Sequence, residues 1–546
     1  MKKLLLTTLI VVTFIALGTA PAAAVSNHTV KVGLRYDSSA MASANLENAE
    51  GAGYEFGYFD ENRVFVSLGR TSVTTITMNA GTISMESGDT MYMGSSEDYA
   101  FQTAGTQIGQ SVTFVSYAEA ASAAAVHGGW PAWINGAYTV RGTGAQDAYG
   151  RGTVSFSSTS VVVTRTGTSE ILFEFDEGGE RALGVRPSGS STWFRGYKYP
   201  GAFEYPRARG GNLSVINVVD LEEYVKGVVP YEMPGDWPLA ALEAQAVCAR
   251  TFVCGHAKHL RSQGFDVCAG QDCQVYYGHG SGSSAPTSAS NQAAENTAGL
   301  CIYYNGTLVQ DAVYHSSNGG ATEDGGRVWG TETGYLKGKL DPYEAQTDIP
   351  NYSYSVTYTA AELTWILDQK GYSVGTVQDV YVSEYTPLGN VNKVTFVGSS
   401  GTKTVSGETC RTIFYSSTYK KSVTSMRFDI NGKNGGVWTS EGVVTSGGQL
   451  ASLDGAAVIS GNGEIGILQG ASAAAVTSSG TVAVSGGIPA PSVPSGGGNH
   501  NGNFVITGTG SGHNVGMSQY GAKAMAELGY GFREILEFYY TDITIN

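Results

Sequence analysis

The chain has 546 residues, and its 32 Lys and Arg against 47 Asp and Glu leave a formal net charge of −15. A chain this acidic is a poor partner for nucleic-acid phosphates or for an anionic membrane surface, so we expect no nucleic-acid partner. With 42% hydrophobic and 14% charged residues it has enough apolar surface for sizeable cores, which excludes disorder throughout, and its length is typical of two to four domains.

The first 24 residues have the pattern of an export signal. Two lysines follow Met1, and after them come an apolar run from Leu4 to Leu17 and a small-residue stretch that ends at Ala24. An uncleaved N-terminal anchor is the less favoured alternative, because the run is shorter than the roughly 20 apolar residues that a membrane span needs. We expect cleavage after Ala24 and a mature chain that is exported, outside the cell or at its wall.

Residues 25–148 predict a small, separate accessory domain that is β-rich or α+β. Short β-like runs at 30–34, 64–66 and 73–78 are interrupted by Gly, Asn and Ser, and one helix-compatible stretch lies near residues 117–126. This part of the chain has no cluster of residues that looks catalytic.

Residues 149–546 predict a larger α+β domain of antiparallel strands and helices. Strand-like alternation between 152 and 219 leads to a helix whose apolar residues recur at three- and four-residue steps from Leu239 to Val253, after Pro238 at its first turn and Asp236 as a cap. Alternation returns at 380–405, and two helices are expected near 522–528 and 532–539. The Gly- and Ser-rich stretch 431–503 is expected to be an insertion in this domain, with strands at 458–463 and 465–468 and a final linker at 489–498.

Six cysteines are too few for a disulfide-built scaffold of this length. Cys248 and Cys254 are six residues apart in a predicted helix, which separates them by about 9 Å along its axis and prevents a disulfide between them. We interpret both as small buried hydrophobes. Cys268 and Cys273 form the one close pair to which this objection does not apply.

Glu232 is the strongest candidate for chemistry. It lies between Tyr231 and Met233 directly before the predicted helix, and apolar neighbours disfavour the charged form of a carboxyl. A raised pKa would suit Glu232 to donate a proton near neutral pH. The alternative is a capping or ion-paired structural acid. Arg250, eighteen residues further on, could orient a carboxylate or an anionic substrate group.

Four motifs in order resemble the stage II sporulation protein D and amidase enhancer family of bacterial cell-wall proteins. They are Glu232–Pro234 with Ala241–Thr251, Cys273–Gly278, Tyr314–Glu323 with Val328–Gly330, and Gly512–Ala522. The resemblance covers roughly residues 152–546. It implies a groove-containing α+β domain and a lytic transglycosylase that cleaves peptidoglycan between N-acetylmuramic acid and N-acetylglucosamine, leaving a 1,6-anhydro end.

The resemblance also implies roles for individual residues. Glu232 matches the catalytic acid, and Arg250 matches a helix arginine that orients either Glu232 or the lactyl carboxylate of muramic acid, unless it forms a purely structural ion pair. Groove-lining positions in contact with substrate are implied for Tyr314, His315, Ser316, His513 and Gln519, with Tyr335 and Lys337 as weaker candidates. A satisfied buried histidine is the alternative for His513.

A structural zinc ion is implied at Cys268 and Cys273 with a nearby histidine, for which His259 is our candidate. Thiolate and imidazole are ligands that zinc prefers. Asp272 stands where many family members have histidine, and Asn514 where a glycine is expected. A Cys268–Cys273 disulfide and two free thiols remain the alternatives to zinc.

Two other functions stay open. The chain could be a non-catalytic enhancer that stimulates a peptidoglycan amidase or another sporulation wall hydrolase, and in that case Glu232 would not be required. It could also be a wall-binding protein, since the strand–helix–strand layout of residues 25–148 is similar to that of small peptidoglycan-binding modules. All three readings have peptidoglycan as the partner.

Overall fold

The structure is a computed structural model that describes residues 29–48, 50–85, 93–98, 112–143, 152–208, 211–255, 259–281, 285–431, 457–459, 465–467, 473–477, 480–484 and 502–546. The predicted export signal at 1–24 and the predicted linker at 489–498 lie outside these residues. Within the described part of the chain, the search for a helix of sufficient length and apolarity to cross a membrane finds none.

The α+β class predicted from the sequence is confirmed. The strands of the N-terminal half are short, as their Gly- and Asn-rich punctuation predicts. They are β1 (Thr29–Arg35), β2 (Ser43–Glu47), β3 (Tyr54–Phe59), β4 (Phe65–Thr71), β5 (Thr75–Ala80), β6 (Thr82–Met85), β7 (Met93–Asp98), β8 (Trp130–Ile134), β9 (Ala137–Thr143), β10 (Gly152–Ser155), β11 (Val161–Arg165), β12 (Ile171–Asp176), β13 (Leu183–Pro187), β14 (Ser191–Phe194), β15 (Tyr197–Pro200), β16 (Ala202–Tyr205) and β17 (Val215–Asp220).

Helices dominate the middle and the end of the chain. They are α1 (Tyr117–His127), α2 (Leu221–Glu232), α3 (Leu239–Gly255), α4 (Leu260–Gln263), α5 (Ser288–Asn296), α6 (Gly325–Trp329), α7 (Ala360–Gln369), α8 (Thr409–Thr412), α9 (Gln519–Glu527) and α10 (Phe532–Tyr539). The strands among them are β18 (Val267–Cys268), β19 (Ile302–Tyr304), β20 (Thr307–Leu308), β21 (Tyr314–His315), β22 (Ser353–Thr359), β23 (Val377–Tyr385), β24 (Val391–Gly398), β25 (Gly401–Ser406), β26 (Arg427–Ile430), β27 (Ala457–Ile459), β28 (Ile465–Ile467), β29 (Ala473–Thr477), β30 (Gly480–Val484), β31 (Asn503–Thr509), β32 (Met517–Ser518) and β33 (Ile543–Ile545).

Two large sheets join the N-terminal segment to the rest of the chain. One has the strand order β18-β1-β17-β16-β13-β3-β4, and the other has β15-β14-β2-β5-β11-β12-β8-β9-β7-β10-β6. Val32 of β1 lies opposite Asn217 of β17, and Met78 of β5 lies opposite Val163 of β11. The structure therefore corrects the boundary predicted between residues 148 and 149, because strands from both sides of it complete each other's hydrogen bonding.

Residues 149–546 contribute to two hydrophobic cores. The first core joins the large sheets to α2, α3, α9 and α10. The second lies between α7 and strands β22 to β26 with β31, and contains Leu363, Val394, Phe414 and Phe504. Ile430 of β26 lies opposite Ile506 of β31, so the chain leaves and re-enters one sheet around the Gly- and Ser-rich stretch.

The α2 helix positions the site. It follows β17 without a loop, and the Asp220 carboxylate caps it by accepting from the Glu222 and Glu223 N–H groups at 2.9 and 3.3 Å. At Gly227 a Cβ atom would lie 2.6 Å from the Tyr276 ring, so the absence of a side chain lets the segment around Tyr276 lie directly on the helix. The C-terminal end of α2, with Glu232 as its last residue, therefore faces this segment.

Candidate active site

Glu232 is a partly buried carboxyl held by groups from three parts of the chain. Its Oε1 accepts from the Val275 N–H at 3.0 Å, and Gln519 Nε2 donates to its main-chain carbonyl at 3.1 Å. Burial raises the pKa of Glu232 above its usual range, while hydrogen bonds from Val275, Tyr314 and Gln519 act in the opposite direction. None of these groups is a carboxylate. The protonated form of Glu232 is thus favoured more than that of an exposed glutamate.

Tyr314 connects Glu232 to a buried relay of hydrogen bonds. The Tyr224 hydroxyl donates to Gln274 Oε1 at 2.9 Å, and Gln274 Nε2 donates to the Tyr314 hydroxyl at 3.2 Å. Burial raises the pKa of Tyr314 well above 10, so its hydroxyl keeps its proton and can donate to Glu232. The groove-lining role inferred for Tyr314 stays a prediction.

The β21–β32 pair brings the two distant motifs together. Tyr314 lies opposite Met517, and His315 lies opposite Ser518, in parallel register. Gln519 follows directly as the first residue of α9, whose N-cap is Ser518. The sequence motifs at 314–323 and 512–522 therefore meet at Glu232.

Half-buried aromatic rings lie on both sides of Glu232 along the chain. Tyr231 contacts Tyr277 with ring centroids 5.1 Å apart, and Tyr277 stacks on Tyr197 at 4.6 Å. On the other side Trp237 contacts Tyr520 at 4.9 Å. Rings of this kind present apolar faces and polar edges, which suits a ligand with both characters, such as a sugar.

The structure places Arg250 in a structural ion pair, which corrects its predicted role at the acid. Its guanidinium is fully buried and donates to both oxygens of Glu222 at 2.9 and 2.6 Å, and to the carbonyls of Leu300 and Ala294 at 3.1 and 3.2 Å. Glu222 and Glu232 are ten residues apart on α2, which separates them by about 15 Å along the helix axis. Arg250 therefore acts at the opposite end of α2.

His315 and His513 lie against each other rather than along an open groove. Adjacent residues of a strand point to opposite faces, so His315 faces away from Tyr314; it is 5% exposed, and its Nδ1 lies 3.0 Å from the Val515 carbonyl. Burial keeps the pKa of His315 well below its usual range and lowers that of His513 to about 4, so both rings are neutral at pH 7. The groove-lining role predicted for His315 is wrong, because its side chain is buried.

The ring of His513 lies between His315 and Trp329, at 5.3 and 4.9 Å, and its Nδ1 accepts from the Val515 N–H at 3.1 Å. These contacts support the alternative reading of His513 as a packed histidine that stabilises its own loop.

Three other predicted substrate residues have different surroundings. The Ser316 carbonyl accepts from the Tyr520 N–H at 3.0 Å, which joins it to the start of α9. Tyr335 is 7% exposed and its hydroxyl accepts from the Asp311 N–H at 3.4 Å, so it belongs to the core and not to a groove. Lys337 pairs with Asp324 at 3.0 Å, and this contact raises its pKa. Tyr335 is thereby corrected from substrate binding to a core contact, whereas the substrate role of Lys337 stays a prediction.

Glu344 is a site residue that the sequence analysis missed. It is 1% exposed, and its carboxylate accepts from the Ser317 hydroxyl at 2.8 Å, from the Asn318 and Gly319 N–H groups at 2.6 and 3.0 Å, and from the Ser518 hydroxyl. Burial and the nearby Asp341 raise the pKa of Glu344 to about 7. Glu344 thus fastens the loop after Tyr314 to the residue before Gln519. Its position outside every motif gave no sequence signal.

A second cluster brings together the predicted metal ligands. One ligand atom from each of His259, Cys268, Asp272 and Cys273 lies within 4.8 Å of the others. Cys268 is held in β18 beside β1, and the Cys273 N–H donates to the Gly270 carbonyl at 3.0 Å, which turns the chain back toward Cys268. Both thiols are free. Two thiols, an imidazole and a carboxylate are a donor set that fits tetrahedral zinc, with Asp272 as a fourth donor.

The fold and the site define an α+β protein with one protonatable carboxyl at the end of a buried helix, flanked by aromatic rings. Comparison with known proteins agrees with this class: residues 209–304 match the family model described as stage II sporulation protein. Over this segment the chain is similar to the stage II sporulation protein family.

Individual relatives extend the match beyond that segment. An amidase enhancer of Bacillus subtilis (strain 168) is 29% identical over 345 residues, which cover 59% of this chain and 40% of the relative. An uncharacterized protein of Brachyspira hyodysenteriae is 26% identical over 61% of this chain and 68% of its own. Stage II sporulation protein D of Bacillus subtilis is 34% identical over 168 residues, 29% of this chain and 48% of the relative. The chain therefore aligns with less than half the length of the two Bacillus proteins.

Proposed function

We propose that the protein is a peptidoglycan lytic transglycosylase that acts in sporulation or another step of cell-wall remodelling. The observation that carries the proposal is the state of Glu232, a single carboxyl whose pKa is raised by burial and whose Oε1 is fixed by the Val275 N–H. A raised pKa moves the carboxyl toward the neutral range in which a general acid must hold its proton.

One acid is enough for this reaction. The Glu232 carboxyl protonates the glycosidic oxygen between N-acetylmuramic acid and N-acetylglucosamine, and the C–O bond to the leaving sugar breaks. The carboxylate then takes the proton of the muramic acid C6 hydroxyl, whose oxygen attacks the anomeric carbon and closes the 1,6-anhydro ring. A hydrolase needs a second carboxylate to activate water, whereas here the substrate supplies the nucleophile.

The surrounding residues support the proton transfer. The Tyr314 hydroxyl and the Val275 N–H stabilise the carboxylate that forms after the first step, and they hold the Glu232 side chain in one orientation. The half-buried rings of Tyr231, Tyr277 and Trp237 offer stacking surfaces for the sugars on either side of the cleaved bond.

The test is to incubate the purified full chain with peptide-free glycan strands and to search for 1,6-anhydromuramic products by mass spectrometry. We expect these products from the wild type and a loss of at least about 100-fold in Glu232→Gln, the scale of general acid catalysis. Glu223→Gln is a matched control on the same helix, since Glu223 pairs with Lys226 and His279 at the other end of α2. Absence of anhydro products from the wild type would overturn the proposal.

The second candidate function is enhancement of a peptidoglycan amidase, and it rests on the name of the Bacillus subtilis relative. In that case the partner is an amidase bound to the same wall substrate, and Glu232→Gln would stimulate the amidase as well as the wild type does. Measuring amidase activity with both forms of the protein separates the two functions. Binding to isolated walls by both forms, with neither cleavage nor stimulation, would instead favour a wall-binding protein.

We also propose a structural zinc ion held by His259, Cys268, Cys273 and Asp272. Elemental analysis of protein prepared without chelator should give one zinc per chain, and Cys273→Ser should lose it while Cys410→Ser retains it. The first 24 residues support a further proposal, export with cleavage after Ala24, which N-terminal sequencing of the secreted protein tests.

A further inference from the structure

A second pair of cysteines meets at a place where no disulfide or metal was expected. Cys254 lies in the last turn of α3 and is half-buried, while Cys301 directly precedes β19 and is fully buried. Their thiols are in contact, with a hydrogen bond between the two sulfur atoms. Both are free cysteines in the structure.

Hydrogen bonds that do not involve the sulfur atoms bring the two chain segments together. The Ile302 N–H donates to Thr251 Oγ1 at 2.9 Å, so the start of β19 lies against the last turns of α3. Thr251 and Cys254 are three residues apart and share one face of the helix. Cys301 is itself held by two hydrogen bonds to Asn546, at 2.8 and 3.1 Å.

The surroundings of the two cysteine pairs differ in one respect. Cys268 and Cys273 have the imidazole of His259 and the carboxylate of Asp272 beside them. Among the described residues, these four form the one cluster with three or more metal-ligating groups. Among the residues that the structure describes, no third ligand group joins the thiols of Cys254 and Cys301. The carboxylate of Glu222 acts electrostatically on Cys254, but both of its oxygens already accept hydrogen bonds from Arg250.

We propose that Cys254 and Cys301 form a disulfide by exchange with an external disulfide, either a small one such as oxidised glutathione or that of a thiol oxidoreductase. Cys254, the more accessible of the two, donates the hydrogen bond to Cys301 and passes that proton to it. The Cys254 sulfur then attacks the external disulfide, forms a mixed disulfide and releases one thiol. The Cys301 thiolate then attacks the Cys254 sulfur and releases the second thiol. The two cysteines lose two electrons and two protons in total, and the external disulfide is reduced to two thiols.

The bond would close the segment that forms one wall of the candidate active site. Residues 255–300 include the His259–Cys273 cluster and Val275, whose N–H binds Glu232. A cross-link at the two ends of this segment reduces the entropy of the unfolded chain and leaves the folded contact nearly unchanged. This inference concerns the cysteines alone and holds whether or not the protein cleaves glycan strands.

The test uses the purified full chain in oxidised glutathione, followed by alkylation under denaturing conditions and peptide mass spectrometry without reduction. We expect a Cys254–Cys301 cross-linked peptide, and a melting temperature that falls by roughly 5–10 °C when the disulfide is reduced. Two serine variants test the order of attack. Cys301→Ser should accumulate glutathione on Cys254, whereas Cys254→Ser should leave Cys301 as a thiol because Cys301 is buried.

Cys410→Ser is the control, since Cys410 lies in the second core and its thiol donates to the Asn392 carbonyl at 3.4 Å. This variant should form the cross-link as the wild type does. Recovery of both Cys254 and Cys301 as alkylated thiols after oxidation would overturn the proposal. So would a cross-link that joins either residue to a different cysteine.

Discussion

Gln519 Nε2 donates a hydrogen bond to the main-chain carbonyl of Glu232 across 287 residues of sequence, at 3.1 Å. Gln519 is 8% exposed, and its Nε2 also lies 3.4 Å from the Oε1 of Gln245 on α3. The end of α2, the middle of α3 and the start of α9 are therefore joined at one side chain. The acid is therefore positioned by residues that are distant in sequence.

Replacing Glu232 by glutamine should stabilise the protein at neutral pH. The pKa of Glu232 is raised in the folded state, so the folded protein holds a proton that the unfolded chain releases, and stability falls as pH rises from about 4.5 through the folded-state pKa. Glutamine cannot ionise and keeps an acceptor for the Val275 N–H. The gain in melting temperature over the wild type should therefore grow with pH and then level off.

Glu223→Gln, the control variant on the same helix, should lower the stability of the protein at neutral pH. Hydrogen bonds with His279 and Lys226 lower the pKa of Glu223 to about 2, so its ionised form contributes stability above about pH 4.5 that is lost as pH falls toward 2. Glu223→Gln should lower the melting temperature slightly at pH 7, because the Glu223 side chain is partly exposed and its ion pairs are weak. A shift of the same sign in both variants would contradict the assigned environments.

Replacing Tyr314 by phenylalanine should move the pH dependence of glycan cleavage. The Tyr314 hydroxyl lowers the pKa of Glu232, so its removal should shift the basic limb of the pH–rate profile to higher pH. The rate should also fall, because the carboxylate formed in the first step loses a donor. Tyr358→Phe is the control: that hydroxyl donates to the Phe414 carbonyl at 2.8 Å in the second core, and its loss should leave the limb in place.

The residues that sequence alone could identify are those with a local signal. Glu232 was singled out by its apolar neighbours, and α3 by its three- and four-residue periodicity, which depends on contacts within one helix. The terminal helix α10 was also expected. Both helices are observed at nearly their predicted bounds, Leu239–Gly255 and Phe532–Tyr539.

Long-range pairing gave no comparable signal. The partner of β1 is β17, some 180 residues away, and alternation in a strand fixes which face is buried without naming the neighbouring strand. For the same reason the role of Arg250 was left open between orienting Glu232, orienting a substrate carboxylate and forming a structural ion pair. Its partner, Glu222, is another acid of the same helix as Glu232, and only the packing of α3 on α2 distinguishes the two acids. The contact of Cys254 with Cys301 was equally invisible.

Replacing Arg250 should destabilise the protein without abolishing cleavage. Breaking a buried ion pair costs about 3–5 kcal/mol, so Arg250→Met should unfold at clearly lower urea concentration. Removing the partner as well, in Arg250→Met with Glu222→Gln, should recover part of the loss, because no unpaired charge is left at the end of α2. Cleavage per folded molecule should stay within about threefold of the wild type. A fully stable Arg250→Met that has lost cleavage would instead restore the catalytic assignment.

Glu344→Gln should separate the effect of the carboxyl proton from that of its hydrogen bonds. The four donors around Glu344 match a carboxyl group, and an amide NH₂ would oppose at least one of them, at a cost of about 1–3 kcal/mol. The pKa of Glu344 is raised to about 7, so the wild type loses stability between about pH 4.5 and 7, whereas the variant cannot. Urea unfolding should therefore show the largest difference between the two proteins near pH 5.

Above pH 7 the difference should stay constant at a smaller value than near pH 5, because the wild type then holds an ionised carboxylate beside Asp341. Glu180→Gln is the control, since Glu180 is exposed and its loss should change stability at neither pH.

In the cleavage assay Glu344→Gln should also lower the rate at temperatures where the protein remains folded. The reason is that Glu344 fastens Ser518, and with it Gln519, to the loop that follows Tyr314. A stability difference that is constant from pH 5 to pH 8 would show that Glu344 does not titrate in this range. An unchanged rate would show that the loops keep their positions without Glu344.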